Sequence, residues 1–479
     1  LIQRVVFSSH IFIFYFLPIV VGIYYLLLWR GAGSNVRHLF LTCAGMVFYG
    51  WWNPWFVLLM LGTALFNHLC GLVIERWRSP RVILGMAVCA NLATLLWFKY
   101  ATPAAIGINA LFGHEVLRPD PAHLPIGVSF FIFHSLSYVV DVYRGQAKAQ
   151  RSPGITALYI ALFPQLVAGP IIRYHDVAEQ FTARRMDISG FAYGTRRFII
   201  GLAKKVLIAD LCARIADPVF ALPSDQLTPA VAWLGLVAYA VQIYFDFSGY
   251  SDMAIGLGRM LGFRFLENFN RPYAAASLRE FWKRWHISLT NFFRDYLYIP
   301  LGGNRKGAAR TYMNLVIVFF LTGLWHGAGW NFIVWGLLHG AFMTAERAGL
   351  GTLLERTPRM VARAYTLLVV LMAWAFFRSG NINSAWTFIA TLWTPGHGDP
   401  TLVYPSFYLP NDVVLALVIG IVGALGIADP LIRWIRQRRQ SPTRTWPAWT
   451  WDLGLLALFF LTSMAVATRT YDPFIYFRF

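Results

Sequence analysis

The chain has 479 residues, of which 57% are hydrophobic and 17% aromatic. Soluble globular domains are about half apolar and lack long uninterrupted apolar runs, so this composition excludes an ordinary soluble protein and indicates an integral membrane protein. The 41 Lys and Arg residues exceed the 22 Asp and Glu residues, which gives a formal net charge of +19. Because these cations lie mainly between the apolar runs, they indicate membrane topology and contact with anionic lipids rather than nucleic-acid binding.

Apolar windows long enough to cross a bilayer recur along the chain. They predict an all-α integral membrane protein with roughly eleven or twelve membrane helices. Proline and glycine occur within residues 163–170 and 322–329. They predict that some helices are broken or re-entrant around a central reaction chamber. Irregular backbone at membrane depth needs such a chamber, because protein groups or water must satisfy its hydrogen bonds. We expect a single domain over residues 1–479. The windows begin near Ile11, Val36, Trp55, Val82, Leu124, Ile155, Ala230, Tyr312, Phe332, Val361, Val413 and Leu453.

Clusters of Lys and Arg predict the orientation, since cytoplasmic segments carry an excess of positive charge. Counting helices from these clusters places the tail, residues 468–479, on the outer side of the membrane. The middle of the chain does not alternate cleanly, because residues 144–151 and 173–205 both have cytoplasmic character. A segment over 155–172 that enters the membrane and returns is compatible with this pattern.

Four cysteines lie in or beside apolar segments, namely Cys43, Cys70, Cys89 and Cys212. They show no spacing typical of a metal site, so we predict four small buried packing residues, no disulfide and no metal. The chain also has no GxSxG nucleophile elbow, no P-loop pattern, and no histidine followed four residues later by aspartate. A serine-esterase mechanism within this chain is therefore not expected.

Residues 278–297 predict an amphipathic helix that lies in the inner membrane interface. Such a helix could anchor the protein to lipid, or its cations could attract the phosphates of a donor such as coenzyme A, and both roles can hold together. Arg279, Lys283 and Arg284 are the candidate donor-binding cations. The apolar residues that recur mostly every three or four positions are Phe281, Trp282, Trp285, Leu289, Phe292, Phe293 and Tyr296.

His326 is an ionisable side chain in an otherwise apolar run, between Trp325 and Trp330. A polar group at membrane depth is costly and usually functional. Low dielectric would keep this imidazole neutral and able to accept a proton from a hydroxyl, which makes His326 a candidate general base; the alternative is a hydrogen-bonded core histidine. If the segment is helical, Trp330 shares the face of His326. Trp330 and Asn331 complete the candidate donor-binding residues.

For the other ionisable residues in apolar surroundings, the sequence favours structural roles. Asp246 and Asp252 flank the string FSGYS, and the glycine between them predicts a packed helix break. Asp295 is expected to form a salt bridge with Arg294 or a neighbouring cation. His339 is expected to be structural.

Six strings of the sequence resemble the membrane-bound O-acyltransferase family, and specifically its bacterial branch that acetylates exported polysaccharides such as alginate. The resemblance implies that His326 is the catalytic histidine of the family. His286, in the string WHIS, matches a second histidine of this branch, for which a headgroup contact is the alternative role. The strings are LPIGVSFFIFHSLSYVVDVYRG (124–145), LFPQLVAGPIIRY (162–174), QIYFDFSGYSDMAIGLGRMLGF (242–263), FWKRWHISLTNFFRDYLYIPLGGNR (281–305), LWHGAGWNFIVWGLLHG (324–340) and FIYFRF (474–479).

The aromatic string FIYFRF has two interpretations. It can be an aromatic belt at the outer interface. It also resembles the tail of a small partner in teichoic-acid D-alanylation, whose tyrosine looks to carry the acyl group. The tyrosine at the matching place is Tyr476, and the resemblance implies that it relays the acetyl group.

The resemblance therefore implies an acetyltransferase of the bacterial inner membrane. Its donor would be a cytoplasmic thioester, most simply acetyl-CoA, with no tightly bound cofactor. Its partner would be an extracytoplasmic serine-dependent acetyltransferase, and the final acceptor an exported polysaccharide of alginate or cellulose type. Two alternatives stay open: an acyltransferase for peptidoglycan or teichoic acid, and a non-catalytic transporter or scaffold of an export complex.

Overall fold

The computed structural model describes residues 6–118, 125, 127–167, 169–184, 186–440 and 448–468. Every regular element within these residues is helical, which confirms the predicted all-α class. By contacts the chain divides into two compact units, Leu1–Phe198 with Tyr250–Leu266, and Ile199–Gly249 with Glu267–Phe479. The predicted acyl-relay residue Tyr476 lies outside the described residues.

The first unit contains six helices of nine residues or more in its described part. They are Leu17–Trp29, Ser34–Gly50, Trp55–Arg76, Pro80–Phe112, Val128–Tyr143 and Pro153–Ala161.

The described part of the second unit contains the helices from which the candidate site is built. Its longer helices are Asp210–Ala221, Ala308–His326, Trp330–Ala345, Arg359–Arg378, Ile382–Trp393, Asn411–Leu425, Asp429–Gln440 and Ala448–Thr468. Two shorter ones, Leu278–Trp282 and Ile287–Phe293, carry residues of the site, and two further helices, Ile188–Ala203 and Pro229–Met260, contribute residues to both units.

Seven helices in the described part of the chain are long and apolar enough to cross a membrane. An eighth span is obtained if Asn411–Leu425 and Asp429–Ile435, which meet at 81°, count as one. The protein is therefore a multi-pass membrane protein, but the predicted count of eleven or twelve is not confirmed. Four further predicted windows, outside these seven or eight spans, form helices of 17 residues or fewer, namely Ser34–Gly50, Val128–Tyr143, Pro153–Ala161 and Trp330–Ala345.

Burial separates helices with a large exposed surface from those inside the protein. Only 17% of the apolar window of Pro80–Phe112 is buried, whereas 78% of the window of Pro229–Met260 is. Large exposed apolar faces of this kind suit a lipid environment. Cys70 and Cys212 are buried as predicted, but Cys43 and Cys89 are exposed, because they lie on outer faces of their helices.

The predicted helix interruptions are confirmed in both regions. Pro153–Ala161 ends at the extended residue Leu162, and only the single turn Phe163–Leu166 follows. Ala308–His326 ends at His326 itself, and Gly327 is fully extended with φ −171°. His326 therefore lies at a helix end rather than in the middle of a span.

The predicted helix break between Asp246 and Asp252 is wrong, because Pro229–Met260 runs through both residues. Each of the two carboxylates is paired with a cation instead. In the second unit the Lys205 Nζ atom lies 2.9 Å from Asp246 and 2.6 Å from Asp210. In the first unit Arg197 lies 2.6 Å from Asp252. A buried carboxylate is tolerated in a continuous helix when a cation compensates its charge.

The helices Ala308–His326 and Trp330–Ala345 form a hairpin that packs through glycines. A Cβ atom on Gly336 would overlap the carbonyl oxygen of Phe319, and one on Gly323 would overlap that of Phe332. Small residues allow such close approach of helix backbones in membranes. The glycines thus set the distance between the two helices that hold His326.

We expect Gly336→Ala to destabilise the protein, because the new methyl group meets a backbone atom that cannot rotate away. Overpacking of this kind costs about 1–3 kcal/mol, and thermal unfolding in detergent should show a lower midpoint. Gly85→Ala is the matched control, because Gly85 also lies in a helix but nothing lies within 4 Å of its added Cβ. Equal midpoints for the two variants would contradict close glycine packing in the hairpin.

Candidate active site

The backbone is interrupted at His286, so the predicted amphipathic helix over 278–297 is not continuous. Leu278–Trp282 ends before it and Ile287–Phe293 begins after it. His286 itself has φ 44° and ψ 55°, a left-handed conformation that non-glycine residues rarely adopt. Such conformations persist only where the surroundings enforce them, and they cluster at functional sites.

Asn268 provides the surroundings that hold His286. Its Oδ1 atom lies 3.1 Å from His286 Nδ1 and accepts hydrogen bonds from the Ser288 amide at 3.2 Å and hydroxyl at 2.9 Å. The Ile287 amide donates to the Asn268 carbonyl at 2.9 Å. One residue therefore binds three successive positions around the strained backbone.

His286 is buried, with 2% of its surface exposed. Its Nε2 atom is buried and hydrogen-bonds to no described residue. Burial lowers the pKa of His286 to about 3, because a low dielectric disfavours the imidazolium. The ring is therefore neutral near pH 7.

His326 is buried among aromatic rings at the end of its helix. Its ring centroid lies 4.5 Å from Trp325, 4.9 Å from Trp335 and 4.9 Å from Phe377. Trp330, which was expected to share its face, is 70% exposed instead. The extended residues after His326 end the helix, so the four-residue spacing no longer places Trp330 on the same side.

His326 and His286 line the same small cavity of about 20 Å³. Forty residues separate them in sequence, and the fold brings them together. They are the only titratable side chains among the described residues that line this cavity. The remaining lining is aliphatic or aromatic: Ile243, Phe247, Trp282, Trp285, Leu289, Trp335, Trp374 and Phe377.

A second, larger cavity of about 390 Å³ adjoins the first. Trp282 and Leu289 line both cavities and so form their common wall. The lining of the larger cavity includes four cations, Arg279, Lys283, Arg294 and Arg347. Arg294 is paired with Asp295 at 2.6 Å, as expected for Asp295. The larger cavity thus combines positive charge with apolar surface.

Glu346 fixes the helix that carries Arg279 and Lys283. Its carboxylate accepts hydrogen bonds from the amides of Leu278, at 2.7 Å, and Arg279, at 3.1 Å. Burial raises the pKa of Glu346, although these hydrogen bonds oppose the shift. A carboxylate that caps free amides at a helix start stabilises that start.

Three candidate donor-binding residues are not among the described residues that line either cavity. Arg284 pairs with Glu280 at 2.6 Å. Asn331 is buried and donates to the Ser379 carbonyl at 2.9 Å. Trp330 lies at the exposed start of its helix. Their positions give no support to a donor-binding role.

Three residues of the site are not among those predicted from the sequence, namely Asn268, Glu346 and the cavity tryptophan Trp335. Asn268 lies in the short segment between two of the strings that resembled a family, and a buried polar residue there was the available signal. Glu346 had no local signal, because its partners lie 67 and 68 residues away. Trp335 required the hairpin geometry.

Comparison with known proteins identifies the family of the chain. The sequence profile of the membrane-bound O-acyltransferase family matches residues 126–384, which include His286 and His326. A protein of Azotobacter vinelandii named "probable alginate O-acetylase AlgI" is 40% identical over 507 residues, covering 99% of this chain and 100% of that protein.

Two further relatives carry different names. The peptidoglycan O-acetyltransferase of Helicobacter pylori is 35% identical over 414 residues, covering 79% of this chain and 78% of that protein. The teichoic acid D-alanyltransferase of Bacillus subtilis is 28% identical over 246 residues, covering 47% of this chain and 61% of that protein. With a matching profile over more than half of its length and a full-length relative at 40% identity, the chain belongs to the membrane-bound O-acyltransferase family.

Proposed function

We propose that this acyltransferase takes acetyl from a cytoplasmic thioester, most simply acetyl-CoA, and passes it across the bacterial inner membrane for O-acetylation of an exported polysaccharide. The observation that carries the proposal is the small neutral cavity lined by both His286 and His326. The 40% identity with an alginate O-acetylase favours an alginate-like acceptor. Peptidoglycan remains the second candidate acceptor because of the Helicobacter pylori relative.

The two cavities suit the two parts of the donor. Phosphates of coenzyme A are attracted by the four cations of the larger cavity, all of which are exposed. The smaller cavity, at about 20 Å³, holds little more than one water-sized group. It therefore favours a short acyl group such as acetyl, which would reach the histidines past Trp282 and Leu289.

His326 is the proposed general base. It takes the proton from the acceptor hydroxyl as that oxygen forms a bond to the thioester carbon, and the carbon–sulfur bond then breaks. The proton passes from His326 to the departing thiolate, so no net proton is gained or lost. The indole N–H groups of Trp282 and Trp335 are buried without a partner among the described residues. Since both side chains line the small cavity, these groups are suitable donors to the oxyanion.

Tyr476 is the proposed first acceptor, followed by a serine of an extracytoplasmic partner transferase and then a sugar hydroxyl. A phenol is a poor nucleophile at neutral pH unless a base removes its proton. The alternative of a non-catalytic transporter loses its support, because the chain belongs to an acyltransferase family.

We expect His326→Gln to abolish acetyl transfer, because removal of a general base typically costs a factor of about 100 to 10,000. The measurement is release of free coenzyme A and acetylation of polysaccharide by purified protein. His339→Gln is the matched control. His339 is also buried, and its ring centroid lies 5.1 Å from that of Trp335, but it is not among the residues that line the small cavity. Near wild-type turnover in His326→Gln would return His326 to a packing role.

Neutralising Arg279 and Lys283 together to Gln should raise the KM for acetyl-CoA. The rise should be larger at about 0.01 M salt, where charges act over about 30 Å, than at about 1 M, where they act over about 3 Å. Arg284→Gln is the control, because Arg284 is paired with Glu280. An equal KM in the double variant and wild type at both salt concentrations would leave only lipid anchoring for these cations.

We expect Tyr476→Phe to abolish transfer to the polysaccharide without loss of expression, because it removes only the hydroxyl that would carry acetyl. Wild-type protein given acetyl-CoA without its partner should gain the mass of one acetyl group on the peptide that contains Tyr476. Tyr471→Phe, on the same tail, is the control. Full activity of Tyr476→Phe would favour the aromatic-belt interpretation.

A further inference from the structure

We propose that Asn268 is a positioning residue that fixes His286 in one tautomer and thereby makes it a hydrogen-bond acceptor toward His326. This inference rests on the proposed function, in which His326 becomes positively charged when it takes the proton. It adds a defined role for His286 and a new residue, Asn268, to that reaction. Neither role follows from the family membership of the chain.

The backbone amide of Ser288 determines the orientation of the Asn268 side-chain amide. The amide of Ser288 can only donate, and it lies 3.2 Å from the Asn268 Oδ1 position. An amide NH₂ group cannot accept a hydrogen bond, so the atom facing Ser288 must be the carbonyl oxygen. This removes the usual ambiguity between oxygen and nitrogen in an asparagine side chain.

The same oxygen determines the tautomer of His286. Asn268 Oδ1 lies 3.1 Å from His286 Nδ1. Because an oxygen acceptor requires a donor opposite it, Nδ1 carries the proton. A neutral imidazole has one N–H group, so Nε2 has a lone pair and no proton. His286 can therefore accept a hydrogen bond at Nε2 but cannot donate one to an oxyanion.

The surroundings keep His286 in this neutral form. The ring is buried, and Phe247 lies edge-on against it with centroids 4.6 Å apart. Phe269 also lies beside the His286 ring, with ring centroids 6.4 Å apart. His326 is the one other titratable group among the described residues lining the cavity, and the low pKa of His286 agrees with this apolar environment.

These constraints assign His286 a place in the transfer step. When His326 takes the hydroxyl proton, a hydrogen-bond acceptor in the same cavity favours its imidazolium. His286 lines the same cavity, and its Nε2 atom, which is buried and hydrogen-bonds to no described residue, is the acceptor that we assign to this imidazolium. The proton itself remains on His326 until the thiolate takes it, so the balance of the step is unchanged.

The first experiment reads the tautomer without any need for activity. Full-length protein labelled with ¹⁵N and ¹³C in histidine is placed in lipid bilayers and studied by solid-state NMR. The His286 signal is identified as the one missing from His286→Gln. We expect a protonated Nδ1 and an unprotonated Nε2. A protonated Nε2 would overturn the inference while leaving the test of His326 unaffected.

The second experiment tests positioning through the pH profile. Asn268→Asp keeps an oxygen opposite Nδ1 and the Ser288 amide but adds negative charge, which raises the pKa of His286. Protonated His286 has no lone pair at Nε2. The ratio of kcat between the variant and wild type should therefore fall as the pH is lowered between about 8 and 5, the range in which a histidine of near-normal pKa titrates.

Controls separate this effect from structural damage. Asn314→Asp makes the same change at another fully buried asparagine of the same unit, whose side chain donates to Gly303 at 3.0 Å. Its ratio to wild type should not depend on pH. Asn268→Ala should lower kcat by up to about a hundredfold, the cost of misplacing a catalytic group, with little change in the KM for acetyl-CoA. A pH-independent ratio for Asn268→Asp would overturn the positioning role.

Discussion

The close approach of the helices Ala308–His326 and Trp330–Ala345 is the contact on which the site depends. Glycine at positions 323 and 336 leaves no side chain between the backbones, so each helix meets carbonyl oxygens of the other. The extended residues that join the helices end the first one at His326. As a result Trp335, one turn into the second helix, packs against the His326 ring. A side chain on either glycine would separate the two rings.

The sequence predicted the parts of this arrangement that depend on local composition. Glycines after His326 indicated an interruption, and a lone imidazole in an apolar run indicated function, because both signals arise within a few residues. The four-residue spacing between His326 and Trp330 predicted a shared helical face, which is wrong for a related reason. Helical periodicity relates two residues only while the helix continues, and the interruption that the glycines produce resets it. The exposed position of Trp330 follows directly.

Long-range contacts explain what the sequence did not predict. Most of the apolar side chains that recur over 278–297 are buried, as their periodicity predicted. The continuous helix that the periodicity also predicted is interrupted at His286. The cause lies 18 residues upstream, where Asn268 binds the side chain and the following amides. Likewise Lys205 compensates Asp246 from another helix. No pattern along one segment contains such partners, so the local patterns predicted a continuous helix at His286 and a break at Asp246.

The two cavities differ in charge as well as in size, and the difference matches the energetics of the proposed reaction. A charged group in a low-dielectric site costs far more than a neutral one. Among the described residues, cations line the larger cavity and not the smaller one, and in the larger cavity a phosphate-bearing donor would keep its charges partly solvated. The described residues around the histidines are neutral, and His286 is held neutral by burial and by Asn268. Trp282 and Leu289, the wall between the cavities, therefore mark the boundary that a neutral acetyl group would cross and a highly charged cofactor would not.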